Sequence, residues 1–229
     1  MTSIRICLVG ATGLVGSRLI AGAMGRHDVR LVAVARREVA LPKGARMEVL
    51  VANPSSWDDA IAATNAKVMV CALGTTWRNA GKDEAAFRAV DHDLVLACAR
   101  AAKAAGIAHL IVVSSAGANR HGRSRYLRVK AETEDALIKV GLKRLDILRP
   151  GLIVGRRAER RPLERLAMLA SPLADRLMLG GARRFRSIGG DVLAQAIFGL
   201  AKEKAGGRFF HDNDMLKRAA RRGLIAHHS

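Results

Sequence analysis

The residues best suited to proton transfer are Tyr126, the only tyrosine of the chain, and Lys130, four positions later. In a helix this spacing places both side chains on one face. A free phenol has a pKa of about 10, and a neighbouring ammonium favours its phenolate form. Ser114 and Ser115 end the preceding apolar stretch, where a serine can hold a substrate carbonyl or hydroxyl against the phenol. The pattern predicts acid–base chemistry on a carbonyl compound or an alcohol.

A glycine turn near the start of the chain carries a second chemical signal. It follows the apolar stretch 4–9 and opens a helical pattern. Small residues let the backbone approach a pyrophosphate, and a helix N-terminus offers free N–H groups and a positive dipole end. Glycine triplets also occur in plain tight turns, but the position between strand and helix favours a dinucleotide site. The residues predicted to line this site are Gly10, Thr12, Gly13, Leu14, Val15 and Gly16.

Arg36 and Arg37 follow the second apolar stretch, 29–35, and bear on the choice of cofactor. At this place in dinucleotide folds, an acidic residue binds a free ribose 2′-hydroxyl, whereas an arginine accommodates a 2′-phosphate. Guanidinium and phosphate pair strongly, so the two arginines favour NADP(H) over NAD(H). The plain alternative is that one or both are only solvated. We expect Arg36→Ala to weaken NADPH binding much more than NADH binding.

Small-residue loops after later strands extend the predicted cofactor cleft. Leu73, Gly74 and Thr75 follow the apolar stretch 67–72, and ligands of open parallel sheets bind at the carboxyl ends of strands. For Gly74 a simple turn is the plain alternative. Asn53 ends the third strand, near the expected position of an adenine edge.

Strands and helices alternate throughout, which predicts an α/β, Rossmann-type, doubly wound parallel sheet in a single domain. Residues 1–151 form the predicted dinucleotide-binding core, and 152–229 a small substrate-side region with a terminal helix. Strands are predicted at 4–9, 29–35, 47–52, 67–72, 109–114, 145–148 and 208–210. Helices are predicted after the glycine turn, from residue 54, and over 84–105, 126–140, 162–169, 172–179, 191–202 and 213–222. Asp91 and Asp93 are expected at solvated or capping positions.

Composition narrows the classes of protein. Half of the 229 residues are hydrophobic and 3% are aromatic, which suits parallel strands covered by Ala-rich helices. The balance of 39 Lys+Arg against 20 Asp+Glu gives a net charge of +19, which attracts anions. Without a basic helix or an aromatic-interleaved basic strand, nucleic acid is disfavoured as a partner. The arginines of 156–161 and 183–186 could instead select an acidic substrate.

Cys7, Cys71 and Cys98 lie far apart in apolar stretches, which favours buried thiols in a reducing compartment. The sequence shows no metal-ligand spacing, no signal peptide and no run long enough to span a membrane. These features predict a cytoplasmic protein, as a monomer or a homodimer.

The combination of motifs resembles the short-chain dehydrogenase/reductase superfamily. The residues that carry this resemblance are Gly10, Gly13, Gly16, Ser115, Tyr126, Lys130 and the segment 149–151. The short length and the glycine turn resemble its atypical NAD(P)H-binding branch. The CALGTT loop, the Ser-Ser-x-Gly-Ala stretch, the Tyr-Leu-x-Val-Lys-x-Glu run and the terminal Asn-Asp-Met-Leu are similar to its Tat-interacting-protein-like oxidoreductases.

This resemblance implies hydride transfer, with Tyr126 as acid–base, Lys130 assisting it and holding the nicotinamide ribose, and Ser115 orienting the substrate. It also implies that the nicotinamide is bordered by Pro150, Gly151, Leu152 and Ile153. Ser114 is a further predicted cofactor-binding residue. The loop between Ser115 and Tyr126 is short and basic, and the region beyond Leu152 is small, so no particular substrate follows. An NADP(H)-dependent oxidoreductase of a small carbonyl compound is the preferred hypothesis, and a non-catalytic, redox-sensing NADP(H)-binding regulator is the alternative.

Overall fold

The sheet is parallel throughout, which confirms the predicted Rossmann-type architecture. The computed structural model describes residues 3–155 and 180–225. The strands are β1 (Ile4–Val9), β2 (Val29–Ala35), β3 (Glu48–Val51), β4 (Val68–Cys71), β5 (His109–Val113), β6 (Arg144–Leu148), β7 (Ile153–Val154), β8 (Ile188–Gly189) and β9 (Gly207–His211). Seven of them form one sheet in the order β3-β2-β1-β4-β5-β6-β9, and β7 pairs with β8 separately.

Helices cover both faces of this sheet. They are α1 (Leu14–Ala23), α2 (Trp57–Ala63), α3 (Glu84–Arg88), α4 (Val95–Ala104), α5 (Arg125–Val140), α6 (Gly190–Ala201) and α7 (Asn213–Ile225). Helices α1, α6 and α7 contribute to the hydrophobic core on one face. Helices α2, α4 and α5 contribute to the core on the other. No helix in the described part of the chain is long and apolar enough to cross a membrane.

The central strands are apolar at nearly every position because both of their faces are covered. In β1, Ile6 and Leu8 pack into one core, whereas Cys7 and Val9 pack into the other. Alternation of side chains along a strand produces this division. Cys7, Cys71 and Cys98 are all buried, as expected, and burial raises the pKa of Cys7 to about 12 and that of Cys71 to about 11.

The helix predicted over 84–105 is present but is not α-helical throughout. Helix α3 is joined to α4 by a π-helical turn at Ala89–Leu94. Single π-helical turns insert a residue into an α-helix and often occur at functional sites. Here the turn carries Asp91 into the interior, where the side chain of Thr133 donates a hydrogen bond of 3.0 Å to the Asp91 carbonyl oxygen.

Other differences concern short elements. The segment Pro54–Ser56 is a 3₁₀ helix that precedes α2, because proline suits the first turn of a helix. The β7–β8 pair and the 3₁₀ helix at Gly180–Phe185 have no counterpart in the sequence prediction, since each is too short to show a periodicity. The predicted basic loop 156–161 and the helices 162–169 and 172–179 lie outside the described residues.

Candidate active site

The glycine turn between β1 and α1 is closely packed against the loop that follows β4. Gly10 has a φ of +91°, and a Cβ there would lie 2.5 Å from the carbonyl carbon and oxygen of Ala72. A Cβ on Gly16 would overlap the Gly10 carbonyl oxygen, so α1 rests directly on the turn. The Gly13 N–H donates to the Gly10 carbonyl oxygen at 3.1 Å. The turn therefore accepts no side chain at position 10 or at position 16.

The N-terminus of α1 is available to an anion. Its N-cap is Gly13, which has no side chain, and its first turn contains no acidic residue. Thr12 and Gly13 are exposed, whereas the side chains of Leu14 and Val15 are buried. Only backbone groups of Leu14 and Val15 can therefore face a ligand here. An exposed, uncapped helix N-terminus in a glycine cradle fits the pyrophosphate of a dinucleotide.

The residues expected at the adenosine end lie on the surface next to this cradle. Arg36 and Arg37 are exposed immediately after β2, and Asn53 is exposed shortly after β3. Strand β2 pairs with β1, and β3 pairs with β2 at the edge of the sheet. Neither arginine forms an ion pair with another described residue, so both are free to bind a phosphate.

Lys130 is buried and paired with a carboxylate that the sequence reasoning missed. Its Nζ lies 2.7 Å from Oδ1 of Asp91, whose other oxygen accepts the Thr75 N–H at 2.6 Å. Burial alone would lower the pKa of Lys130, but the charges of Asp91 and Tyr126 outweigh it and raise that pKa. Lys130 is therefore an ammonium at neutral pH. The expectation of a solvated or capping Asp91 is wrong, since it is 1% exposed, whereas Asp93 is exposed.

The loop after β4 packs closely against the Asp91–Lys130 ion pair, because Gly74 has no side chain there. A Cβ on Gly74 would lie 3.3 Å from Oδ1 of Asp91 and 4.0 Å from Nζ of Lys130. Leu73 is half-buried and packs with the core below. The predicted cofactor residues Leu73, Gly74 and Thr75 therefore lie beside the predicted catalytic lysine.

Tyr126 lies one helical turn before Lys130 on α5, as the sequence spacing predicts. The Lys130 Nζ is 6.0 Å from the centroid of the Tyr126 ring. The Tyr126 ring also contacts Phe87, at 5.3 Å between centroids, and Phe87 contacts Trp77 at 5.9 Å in an edge-to-face arrangement. Tyr126 is half-buried and borders an open cleft of about 600 Å³.

The two serines after β5 differ in their surroundings. Ser114 is buried, and its hydroxyl donates to Oε1 of Glu134 at 2.5 Å. Glu134 also accepts from Nε of Arg149 at 3.0 Å. The Ser114 hydroxyl is therefore bound to the buried carboxylate of the Glu134–Arg149 ion pair. Ser115 is half-buried and donates only to the Ala116 carbonyl oxygen, at 3.3 Å. Ser115 is therefore the more available of the two for a substrate.

The segment expected to border the nicotinamide is fixed by backbone contacts. The Pro150 carbonyl oxygen accepts the Ala116 N–H at 2.8 Å. The Gly151 N–H donates to the side chain of Asn213 at 3.3 Å, and Asn213 in turn donates to the Arg186 carbonyl oxygen. Leu152 and Ile153 follow, and Leu152 is 50% exposed. The Asn213 of the terminal Asn-Asp-Met-Leu thus holds the end of β6 in place.

A helix N-terminus in a glycine cradle, at the centre of a seven-stranded parallel sheet, defines a dinucleotide-binding protein with a Rossmann-type fold. Residues 10–165 match the model of the NAD(P)H-binding family, which covers more than half of the chain. The chain therefore belongs to this NAD(P)H-binding family, and its cofactor is a nicotinamide dinucleotide.

The chain is also similar to named relatives and, in its fold, to solved structures. The chain is 33% identical over 170 residues to mitochondrial protein fmp52 of Emericella nidulans, covering 71% of this chain and 72% of the relative. It is 32% identical over 183 residues to the corresponding protein of Aspergillus fumigatus, covering 77% and 78%. The structure of MoeE5 in complex with UDP-glucuronic acid and NAD superposes with a TM-score of 0.68 at 15% identity, covering 90% of this chain and 75% of that chain.

The names of the relatives correct one expectation. Both are named as mitochondrial proteins. The cytoplasmic location expected from the sequence is therefore wrong. That expectation rested on the absence of recognisable targeting features, which is weak evidence because a compartment need not leave a signature in the folded chain.

Proposed function

We propose that this protein is an NADP(H)-dependent oxidoreductase of the atypical short-chain dehydrogenase type that interconverts a small carbonyl compound and its alcohol. The observation that carries the proposal is the position of Tyr126 and the buried ammonium of Lys130, side by side on α5. The loop that includes Gly74, next to the glycine cradle, lies against the same ammonium. Proton transfer and dinucleotide binding can therefore occur at one edge of the sheet.

In this proposal, three regions of the chain would bind different parts of the cofactor. The turn Gly10–Gly16 would hold the pyrophosphate, and Arg36 and Arg37 would bind the 2′-phosphate. The loop 73–75 and the segment 150–153 would flank the nicotinamide ribose and ring. The bound nicotinamide supplies or accepts the hydride, and the remaining chemistry falls to the protein.

The proton moves through Tyr126 in this proposal. During reduction its hydroxyl gives a proton to the substrate oxygen, and during oxidation the phenolate takes the proton from the alcohol. The 2.7 Å pairing with Asp91 keeps Lys130 charged beside Tyr126. The hydroxyl of Ser115 would hold the substrate oxygen toward Tyr126.

Replacement of one hydroxyl tests this assignment. A panel of small aldehydes and ketones is offered to the purified protein with NADPH, and cofactor oxidation is followed by absorbance. Tyr126→Phe should reduce turnover by about 10²–10⁴-fold, the usual contribution of a general acid–base group, while NADPH still binds. Turnover retained by Tyr126→Phe would remove this residue from the mechanism.

A non-catalytic NADP(H)-binding regulator is the second candidate. It is favoured by one observation: Lys130 and Ser114 already have buried carboxylate partners, so these polar groups have a structural role without a substrate. NADPH binding without turnover of any carbonyl compound would favour this candidate. Limited proteolysis with NADP⁺ and with NADPH would then be expected to give different cleavage patterns.

A further inference from the structure

The cleft beside Tyr126 has features that proton transfer does not require. It is open, has a volume of about 600 Å³, and is lined by Trp77, Lys82, Ser124, Arg125 and Tyr126. We propose that it is a substrate subsite for carbonyl compounds that carry a planar apolar group and, beyond it, a carboxylate or a phosphate. This inference rests on the proposed oxidoreductase function, because it identifies the cleft as the place from which Tyr126 meets its substrate.

A tight turn fixes the two groups on one rim of the cleft. The Lys82 N–H donates to the Trp77 carbonyl oxygen at 2.9 Å, and the Ala80 N–H donates to the Thr76 carbonyl oxygen at 3.0 Å. Lys82 adopts a φ of +62°, a left-handed conformation that disfavours residues with a side chain. Such conformations persist only where surrounding contacts impose them, and they concentrate at ligand sites. Lys82 and Trp77 are therefore held together as a unit.

Trp77, Phe87 and Tyr126 form a row of contacting aromatic rings, which offers a rigid surface to the planar part of a substrate. Phe87 is fully buried and contacts both Trp77 and Tyr126, so the two outer rings are held at a set separation. Trp77 is half-buried and leaves part of its surface to the cleft. Aromatic side chains favour stacked or edge-on contacts with flat apolar groups. An aromatic or conjugated carbonyl compound suits this wall better than a small aliphatic one.

The charges around the cleft favour an anion. Lys82 has no ion-pair partner within residues 3–155 and 180–225. The guanidinium of Arg125 is 62% exposed and lies 3.8 Å from the carboxylate of Glu84, too far for a strong pair. The neighbouring Asp83 carboxylate is engaged with the N–H groups that begin α3. Two cations thus face one loosely paired carboxylate, and α5 begins here with Ser124 as its N-cap and no acid in its first turn.

Of the other basic residues suggested for an acidic substrate, those of 183–186 are not among the residues that line this cleft. Arg183 lies 4.0 Å from the carboxylate of Asp214, and the Arg184 guanidinium stacks on Phe185 at 4.9 Å from the ring centroid. The loop 156–161 lies outside the described residues. Lys82 and Arg125 are therefore the cations that the structure places at the cleft beside Tyr126.

A matched pair of aldehydes tests the subsite. The probes are para-carboxybenzaldehyde and its neutral methyl ester, reduced with NADPH at an ionic strength of about 0.15 M to screen the general positive charge. We expect kcat/KM for the anion to exceed that for the ester at least tenfold in the wild type. Lys82→Ala should lower this ratio severalfold, Arg125→Gln should also lower it, and Lys82→Glu should reverse it. Lys139→Ala, an exposed lysine near the far end of α5, is the matched control and should keep the wild-type ratio.

The outcomes separate this inference from the proposed function. Turnover of both aldehydes with equal kcat/KM, or a ratio that Lys82→Glu does not change, would overturn the subsite while leaving the oxidoreductase intact. Turnover of neither aldehyde would count against the oxidoreductase. In that case, binding of para-carboxybenzaldehyde is measured by the quenching of tryptophan fluorescence, which tests the subsite without turnover. Saturable quenching that Lys82→Glu abolishes would support the anion site, and quenching that is absent or unaffected by Lys82→Glu would overturn it.

Discussion

Two buried carboxylates differ in their relation to the proposed site: Asp91 lies within it, whereas Asp146 joins neighbouring strands of the sheet. Asp146 lies in the middle of β6 and is completely buried. Its oxygens contact Nε2 of His109 and Nε2 of His211, each at 2.6 Å, and Nε of Arg144 at 2.6 Å. These three partners come from β5, β9 and β6, so the group joins adjacent strands. Asp91, in the π-helical turn, binds the Lys130 ammonium and one backbone N–H.

The difference shows that burial of a charge does not by itself identify a functional group. Burial alone would raise the pKa of Asp146, but hydrogen bonds from His109, His211 and Arg144 outweigh it and hold that pKa well below the usual range. This carboxylate is saturated and has no access to the cofactor cleft. Asp91 instead connects the proposed catalytic lysine to the loop after β4, so its partners rather than its burial give it a functional role.

The largest expected effect is the loss of stability in Asp146→Asn. An amide cannot neutralise the adjacent arginine, and one of its two polar atoms is a donor facing other donors. Breaking a buried ionic group in this way typically costs about 3–5 kcal/mol of unfolding free energy. Urea unfolding measures the loss, and NADPH affinity should not change. Asp59→Asn, at an exposed position, is the control and should shift stability by less than about 0.5 kcal/mol. A loss for Asp146→Asn as small as the control's would contradict the structural role.

The fall in stability at acidic pH is a second test of the structural role of Asp146. Because the folded pKa of Asp146 is lowered, its stabilising effect is complete above the unfolded value of about 3.9 and is lost as pH falls below it. Burial opposes ionisation of Asp28 as well, but Arg26 and Lys202 outweigh it and lower its pKa to about 2, which adds to the loss in both proteins. Urea midpoints at neutral pH and at about pH 3 should therefore fall more in the wild type than in Asp146→Asn. Equal falls would show that Asp146 is not a source of the acid sensitivity.

Asp91→Asn should differ from Asp146→Asn by weakening cofactor binding as well as the fold, since it also leaves a buried charge without its partner. The uncharged amide no longer opposes the effect of burial on Lys130, whose pKa then falls. We expect NADPH to bind about tenfold more weakly, the equivalent of about 1.4 kcal/mol. Affinity should weaken further as the pH is raised and Lys130 loses its proton, whereas the wild type, in which Asp91 raises the pKa of Lys130, should keep its affinity over the same range. Fluorescence titration of NADPH measures both effects, and wild-type affinity with no new pH dependence in Asp91→Asn would refute the role of this residue.

The smallest effect is expected from Thr133→Val, which keeps the shape of the side chain. It removes the hydroxyl that bonds the carbonyl oxygens of Asp91 and Val129 at 3.0 and 2.8 Å. Loss of this contact should cost about 1 kcal/mol of unfolding free energy, with a slight weakening of NADPH binding. An effect on NADPH as large as that of Asp91→Asn would mean that the π-helical turn, rather than the Asp91 charge, controls the site.

Local patterns in the sequence predicted much of the fold and part of the site. The glycine turn, the apolar strands and the i, i+4 spacing of Tyr126 and Lys130 each depend on neighbouring residues, so they can be read directly. The partner of Lys130 could not be predicted, because the pattern over 84–105 is equally compatible with a regular α-helix. The π-helical turn that carries Asp91 inward is joined to Thr133, which is distant in the sequence. The group around Asp146 depends on strand order, since β9 follows β6 in the sheet only after a long separation in the chain.

The most direct test of the central claim is a fluorescence titration of the cofactor-free protein with NADPH and with NADH. We expect tight binding of NADPH and much weaker binding of NADH, because Arg36 and Arg37 are exposed at the end of β2 beside the glycine cradle. Arg36→Ala should remove most of that preference. Equal affinities would contradict the proposed selection of NADP(H), and binding of neither nucleotide would contradict the proposed oxidoreductase itself.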